Sequence, residues 1–278
     1  MKPQRRNRPT GSKGAQSPGL PVITLLTDFG TADYYVGAMK GAILSVNRNV
    51  VIADITHEIP AQDIEAGAFI LLTSYKTFPA GTIHVVVVDP GVGSKRRPII
   101  VAAEEQLFVG PDNGIFTALY DRDPSHRTVH ITATEFFRPN PSTTFHGRDI
   151  FAPVAAALSA GVKLSEFGPV ITDEVRLTNL FEPVSQKNAK TQARIIHIDR
   201  FGNCVTSISR EQFDGRIKSL KVKGKKIRDL RHSYSEARSG KEVFAIWGSA
   251  GLLEISVNGA SAAKVLGAKR GDSVSLTV

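Results

Sequence analysis

The residues most able to do chemistry lie where a run of valines ends in a polar loop. The valines of 85–88 lead directly into Asp89, and the following loop carries Gly93, Arg96 and Arg97. Such a run is typical of a strand covered on both faces, and α/β sheets bind ligands just beyond the carboxyl ends of their strands. A carboxylate beside a guanidinium at that edge can accept a proton. An isolated Asp-Pro-Gly more often forms a turn in which the Asp caps its own backbone, so further motifs must decide.

A second polar loop, FHGRD at 145–149, precedes an Ala-rich helix predicted over 150–159. Its backbone amides and the helix start are available to polar ligand groups. Asp28, Asp199 and Asn203 also follow β-like runs, and polar loop residues on a rigid sheet often carry function. Without further context, Asp28 as a helix cap, Asn203 as a turn residue and Glu254 as a solvated strand residue are equally good interpretations.

The elements that would position these loops alternate between strand and helix. Alternation of this kind predicts an α/β fold with a mainly parallel central sheet. The predicted strands are 22–27, 49–55, 82–88, 98–103, 106–109 and 127–131, and the predicted helices are 33–46, 63–75 and a short one after the turn at 111–114.

The character of the chain changes after Pro169. No regular pattern runs through 177–187, and short β-like runs then follow at 194–198, 220–222, 243–246 and 252–257. Turn-rich spacing between short strands is typical of a barrel or a sandwich, and periodicity alone does not choose between them. We therefore expect a disordered basic tail at 1–20, an N-terminal α/β catalytic domain at 21–170, a linker at 171–190 and a smaller C-terminal β domain at 191–278.

Composition excludes several classes of protein. The chain has 278 residues, 41% of them hydrophobic, a single cysteine and no apolar run near the ~20 residues of a membrane span. We expect a cytoplasmic protein without a membrane partner. The net charge of +9 is concentrated in the tail and in 223–238, without interleaved aromatics, so specific nucleic-acid binding is not expected. An RNA-associated role for the tail ranks last.

Familiar chemical motifs are missing from the sequence. It contains no GxxxxGK[ST], GxGxxG or GxSxG pattern, and its seven histidines include no HExxH. No metal or cofactor is therefore expected. Cys204 lacks local support as a nucleophile and is interpreted as a buried strand thiol.

Six motifs in order, each weak by itself, resemble the S-adenosylmethionine (SAM) hydroxide adenosyltransferases. These are adenosine-forming SAM hydrolases related to the SAM-dependent fluorinase and chlorinase. The resemblance runs from about Val22 to the C-terminus. The motifs are LTDFG (26–30), DYYVGAMKG (33–41), VDPGVG (88–93), PDNG (111–114), FHGRD (145–149) and RFGN (200–203).

The resemblance implies attack of an activated water on the ribose C5′ of SAM, which gives adenosine and L-methionine with no cofactor. It implies an α/β domain joined to a C-terminal β-barrel, in a homotrimer whose sites lie between subunits. The family's catalytic set falls on Asp89, Arg96 and His146, and Arg97 is the near competitor for the arginine.

The substrate-binding residues are also implied by the resemblance. Asp28 would take the ribose hydroxyls, Asp199 the methionine ammonium, and Phe201 with Asn203 the adenine side from the neighbouring subunit. Gly147, beside His146, is a further binding position. Ser249, Glu254 and Val257 match the segment of the second domain that closes on the ligand in the family, and Tyr234 is a weaker candidate there.

Two alternatives stay open: a SAM-dependent halogenase and a non-catalytic SAM or adenosine sensor. The halogenases carry Tyr where Asp89 stands, Tyr-Ser in place of His146-Gly147, and an inserted loop that 94–110 lacks. The complete catalytic set disfavours the sensor. Gln62 departs from the family pattern, because it stands where the fluorinase has an aromatic residue over the ligand.

Overall fold

The computed structural model describes residues 19–178, 185–187, 190–211, 217–237, 240 and 242–277. The predicted disordered tail at 1–20 lies outside the described residues except for its last two. Two β-sheets organise the chain, one formed by 22–171 and the other by 185–277. The prediction of an α/β domain followed by a smaller β domain is confirmed.

Seven strands in the order β2-β1-β3-β5-β4-β6-β7 form the first sheet. They are β1 (Val22–Thr27), β2 (Val51–Thr56), β3 (Ile83–Val87), β4 (Pro98–Ala103), β5 (Gln106–Pro111), β6 (Arg127–His130) and β7 (Val170–Ile171). Strands β2, β1, β3 and β5 are mutually parallel, and β6 has their direction because it lies antiparallel to β4, which is antiparallel to β5. Most of the sheet is thus parallel, as predicted.

Helices cover both faces of this sheet. They are α1 (Tyr35–Val46), α2 (Ile64–Ser74), α3 (Thr117–Arg122) and α4 (Ala152–Ser159). Val85 and Val87 join the core under α1 and α4, whereas Val86 and Val88 join the opposite core under α2 and α3. Because successive strand residues point to opposite faces, burial of all four valines confirms the predicted doubly covered strand.

The register of β1 and β3 determines where their polar loops meet. The strands are parallel, and Thr27 pairs with Val87. The loops that begin at Asp28 and just after Val88 therefore leave the sheet side by side, at the edge where α/β sheets bind ligands.

The second sheet is a curled half-barrel, which confirms a barrel-like domain. Its strands are β8 (Ser185–Lys187), β9 (Lys190–Ile198), β10 (Cys204–Ser209), β11 (Ser219–Val222), β12 (Lys225–Ile227), β13 (Leu230–Arg231), β14 (Val243–Trp247), β15 (Leu252–Val257) and β16 (Ser273–Thr277). The strand order runs β12-β11-β16-β9-β10-β15-β14-β13, with β8 beside β9. Strand β12 also packs near β14, which curls the sheet, and α5 (Ala262–Leu266) packs against β15.

The two domains share a small apolar contact. Phe69 of α2 packs against Ile196 and Val205, and its ring stacks on His197 with centroids 4.7 Å apart. The link fixes the start of the second sheet against the helix that follows Gln62.

Several elements differ from the sequence prediction. Strands β10 and β16 were not predicted, because Ser and Thr occupy half or more of their positions and leave no continuous apolar run. Strand β8 is entirely polar and lies in a stretch where no pattern was seen. The helix predicted at 150 instead begins with a π-helical turn at Gly147–Phe151. Cys204 is fully buried on β10, and burial raises the pKa of its thiol to about 11, so the interpretation as a strand thiol is confirmed.

Within the described part of the chain, every helix is too short or too polar to traverse a lipid bilayer.

Candidate active site

Asp89, Arg96 and His146 form one hydrogen-bonded group. Arg96 Nε donates to both carboxylate oxygens of Asp89 at 3.0 Å, and Arg96 Nη2 donates to Oδ2 at 2.5 Å. The same Nη2 lies 2.6 Å from His146 Nδ1. Because a guanidinium only donates, Nδ1 must accept and the ring proton lies on Nε2. The three predicted catalytic residues are therefore together, with the histidine in a defined tautomer.

The group is shielded from solvent. The side chains of Asp89 and Arg96 are 5% and 8% exposed, and the guanidinium lies 5.2 Å from the centre of the Phe151 ring. Arg96 Nη1 is buried, and no residue in the described ranges accepts its hydrogens. Buried donors are seldom left unsatisfied, so this one is available to a ligand or water.

Burial lowers the pKa of the His146 imidazole, and the positive charge of Arg96 lowers it further. The ring is accordingly neutral near pH 7. A neutral ring is also what the hydrogen bond from Arg96 requires, since a protonated Nδ1 could not accept it. Charge and hydrogen bonding agree on the same state of the residue.

Tight packing of two loops brings the group together. Gly93 has a φ of +77°, and a Cβ at this position would lie 2.4 Å from the Thr143 carbonyl oxygen. Both the backbone conformation and the space thus require glycine. The loop that carries Asp89 and Arg96 is consequently held against the loop that leads to His146.

Arg97, the competing arginine, is engaged elsewhere. Its Nε donates to Asp112 Oδ2 at 2.8 Å, and its Nη1 donates to Asp173 Oδ1 at 2.7 Å. Asp112 belongs to the PDNG motif, which therefore anchors the loop by way of Arg97. Arg96 is the arginine that meets Asp89.

Asp28 is held by a backbone group that the sequence did not indicate. Its Oδ2 accepts the Gln62 backbone N–H at 2.7 Å, and Gln62 has a φ of +64°. Gln62 therefore contacts the candidate ligand carboxylate through its peptide N–H, and no sequence pattern indicates this contact. Gly147 is buried nearby, where a Cβ would lie 3.3 Å from Met39 Sδ and 3.5 Å from the Phe29 ring.

Asp199, Phe201 and Asn203 share the turn between β9 and β10. Asp199 Oδ1 accepts the backbone N–H groups of Phe201 at 2.9 Å and Asn203 at 2.8 Å, and Oδ2 accepts Asn203 Nδ2 at 2.8 Å. Asp199 thus acts as a turn-former here, which does not exclude a ligand at its remaining lone pairs. The Phe201 side chain is 76% exposed on this rigid turn.

Tyr234 and Glu254 form a second pair in the C-terminal domain. The Tyr234 hydroxyl lies 3.2 Å from Glu254 Oε2. Burial raises the pKa of the Glu254 carboxyl, and the charge of Asp199 raises it further, so the pair lies near the turn at 199–203. Glu254 is therefore a half-buried, electrostatically coupled residue rather than a solvated strand position.

The structure does not bring every predicted residue to one place. Val257 is buried in the C-terminal core, and Ser249 lines a cavity of about 860 Å³ between that domain and α2 and α3. Among the contacts of the described residues, none joins Asp89, Arg96 or His146 to the C-terminal group. The predicted site residues thus lie in two separate groups of one chain.

No cluster of three or more potential metal ligands occurs in the described ranges.

The fold and the site define a two-domain α/β protein with a proton-accepting group at the ligand-binding edge of its sheet, as in many enzymes that act on small molecules. Two family models match the chain, and they identify its family within this class. The SAM hydroxide adenosyltransferase N-terminal domain matches residues 23–168, and the C-terminal domain of the same family matches 193–275. The chain belongs to the SAM hydroxide adenosyltransferase family, so the resemblance drawn from the motifs is confirmed.

Individual relatives cover nearly the whole chain. The (R)-S-adenosyl-L-methionine hydrolase of Salinispora tropica is 35% identical over 259 residues, which is 92% of this chain and 98% of the relative. The protein of the same name from Methanocaldococcus jannaschii is 36% identical over 259 residues, 89% of this chain and 92% of the relative. A crystal structure of a conserved Thermotoga maritima protein superposes with a TM-score of 0.85 at 34% identity, covering 92% of this chain and 100% of that one.

Proteins named fluorinase are more distant relatives. The fluorinase of Nocardia brasiliensis is 26% identical over 291 residues, 93% of this chain and 97% of the relative. The chain is thus more similar to these two hydrolases than to this fluorinase.

Proposed function

We propose that this chain is an enzyme that hydrolyses SAM at the ribose C5′ and forms adenosine and L-methionine. The observation that carries the proposal is the shielded Asp89–Arg96–His146 group at the ligand-binding edge of the sheet. It occurs in a chain about one-third identical, over nearly its whole length, to relatives named (R)-S-adenosyl-L-methionine hydrolase.

The reaction is a substitution with a good leaving group. The oxygen of water forms a bond to C5′, the C5′–S bond breaks, and its electron pair moves to sulfur, which turns the sulfonium into the neutral thioether of methionine. The water proton passes to the Asp89 carboxylate and then to solvent. Because the sulfonium leaves readily, the protein mainly has to deliver water in line with the C5′–S bond.

Arg96 and His146 have distinct roles in this proposal. Arg96 holds the Asp89 carboxylate with two nitrogens and keeps it oriented as a proton acceptor. Its unpaired Nη1 can donate a hydrogen bond that helps to hold the water beside Asp89. The neutral His146 ring has its proton on Nε2, where it can donate a further hydrogen bond.

Substrate binding is divided between two chains in the proposal. Asp28 takes the ribose hydroxyls and Gly147 leaves space beside them. A neighbouring subunit supplies the C-terminal residues in a homotrimer, and the exposed Phe201 supports this arrangement, since a rigidly presented aromatic residue suits a site on another chain. The residues assigned to that neighbour are Asp199, Phe201, Asn203, Tyr234, Ser249, Glu254 and Val257.

The configuration at sulfur is a further part of the proposal. The sulfonium carries three different carbon substituents and is therefore chiral, and the relatives' name specifies the R form. We expect this chain to prefer the same epimer. The proposed location remains the cytoplasm, without a cofactor or nucleic-acid partner.

The proposal is tested by incubating the pure protein with each SAM epimer, with and without chloride, and identifying products by liquid chromatography and mass spectrometry. Adenosine and methionine in equal amounts, formed faster from the R epimer, support it. Formation of 5′-chloroadenosine would reassign the chain to the halogenases. Tight binding without turnover of either epimer would support a sensor instead.

A further inference from the structure

A cross-domain ion pair reaches the start of helix α2. Arg270, in the turn between α5 and β16, contacts the carboxylate of Asp63 through Nη1 and that of Glu65 through Nη2 at 2.9 Å. The turn itself is rigid, because neighbouring backbone N–H groups donate to Asp272 Oδ2 at 2.7 Å and to the Ile195 carbonyl at 2.8 Å. The guanidinium is therefore presented from a fixed point of the C-terminal domain.

The orientation of the Asp63 carboxylate depends on Arg270 more than the orientation of the Glu65 carboxylate does. Arg194 also lies 3.8 Å from Glu65, whereas within the described ranges Arg270 is the cation paired with Asp63. Asp63 has a second task, since its Oδ1 accepts the Ala66 N–H at 3.0 Å and caps α2. Arg270 thus orients a carboxylate that already fixes the beginning of the helix.

The residue before Asp63 touches the candidate substrate carboxylate. Gln62 donates its backbone N–H to Asp28 Oδ2 at 2.7 Å while its φ is +64°. A residue with a side chain is disfavoured in this left-handed conformation, so the surrounding contacts must hold it there. Asp63 is the next residue along the chain and holds Gln62 in place, and Arg270 in turn holds the Asp63 carboxylate.

We propose that Arg270 is a positioning residue for substrate binding, which acts through Asp63 and the Gln62 peptide to orient Asp28. The inference rests on the proposed role of Asp28 in binding the ribose hydroxyls. Loss of the guanidinium leaves Asp63 free to turn, the Gln62 peptide relaxes from its left-handed conformation, and the Asp28 carboxylate loses its backbone donor. Binding weakens while the Asp89 group, on a different loop, keeps its geometry.

The test compares Arg270→Ala and Arg270→Lys with Arg176→Ala, which removes another ion-paired arginine bonded to Glu174 at 2.7 Å. KM and kcat for SAM and Kd for adenosine are measured for each. We expect Arg270→Ala to raise KM and Kd on the order of tenfold with kcat changed less than about threefold, Arg270→Lys to fall between, and the control to match wild type.

Two further variants separate positioning from a general structural role. Asp63→Asn keeps a good helix cap but loses the ion pair, so it should reproduce Arg270→Ala, and combining the two should add nothing. Gln62→Gly tolerates a positive φ, so adding it to Arg270→Ala should recover part of the lost affinity. A fall in kcat as large as the rise in KM would contradict the inference. So would a failure of Gln62→Gly to restore part of the affinity.

Asp28→Ala in the same assays distinguishes the inference from its premise. If Asp28→Ala weakens binding and Arg270→Ala does not, the role of Arg270 is wrong and that of Asp28 stands. If Asp28→Ala leaves both KM and Kd unchanged, the proposed role of Asp28 is wrong, and the inference is wrong with it.

Discussion

The Arg96 guanidinium sets the state of both other members of the proposed catalytic group. It contacts the Asp89 carboxylate through two nitrogens, and its charge helps to keep His146 neutral. A single side chain thus orients the acceptor and defines the histidine tautomer. We therefore expect different consequences from substitutions of Asp89 and of His146.

Replacing Asp89 by Asn should abolish proton acceptance while preserving the shape of the side chain. We expect Asp89→Asn to lower kcat at least about a hundredfold, with SAM binding still measurable by calorimetry. Asp173→Asn, which alters an exposed carboxylate bonded to Arg97, is the control and should stay within about threefold of wild type. Undiminished turnover in Asp89→Asn would remove Asp89 from the mechanism.

The pH dependence of hydrolysis should report the neutral His146. Its pKa in the folded protein lies below the ordinary value of 6.5, because burial and the charge of Arg96 both oppose protonation. Lowering the pH therefore protonates the ring only below the usual histidine range. We expect kcat/KM to fall on acidification with a midpoint below pH 6.5. A decline centred above 6.5 that disappears in His146→Asn would contradict this assignment.

At the scale of elements, the contact of Gly93 with the Thr143 carbonyl is the point where two catalytic loops meet. Gly93→Ala adds both strain at positive φ and a clash, so we expect kcat to fall by more than tenfold. Gly161→Ala is matched, since Gly161 has a φ of +94° but open space around it. Its activity should remain near wild type. Steady-state kinetics and melting temperatures separate the lost activity from lost stability.

A buried histidine should make the first sheet sensitive to acid. His84 on β3 hydrogen-bonds Thr24 at 2.6 Å and Gln106, and burial lowers its pKa to about 4. Between pH 6.5 and pH 4 this histidine is protonated in the unfolded chain but neutral in the folded chain. The free energy of unfolding should therefore decrease by about 3 kcal/mol as the pH is lowered through this range. Denaturant titrations check this.

The assignment to His84 is checked with a variant whose side chain at this position cannot take up a proton. His84→Gln should remove most of that slope, whereas His232→Gln, at an exposed histidine, should leave it as in wild type. A wild-type slope retained in His84→Gln would contradict the assignment.

The elements predicted best from the sequence were strands buried on both faces, such as β1 and β3, because such strands are continuous apolar runs. The polar loops that follow these two strands were located together with them. Strands β10 and β16 were missed, since their Thr and Ser residues interrupt such runs although most of them are buried or half-buried. The group of Asp89, Arg96 and His146 could be predicted because Asp89 and His146 lie within motifs and Arg96 follows one. The Gln62 peptide could not be predicted, since a positive φ at glutamine depends on tertiary contacts.

In the whole molecule, the proposed division of each site between two chains predicts complementation between variants. Asp89→Asn and Asn203→Ala should each be inactive, but unfolding and refolding them together should restore activity, because some sites then combine an intact half from each chain. Light scattering should show a trimer. Activity that stays at the level of the separate variants, in verified mixed trimers, would show that each site is formed within one chain.

Hydrolysis of SAM in oxygen-18 water tests whether water attacks C5′. We expect one oxygen-18 atom in the 5′-hydroxyl of adenosine and none in methionine, at a rate that falls sharply in Asp89→Asn. Unlabelled adenosine, or label in a product cleaved at another carbon–sulfur bond, would contradict this expectation.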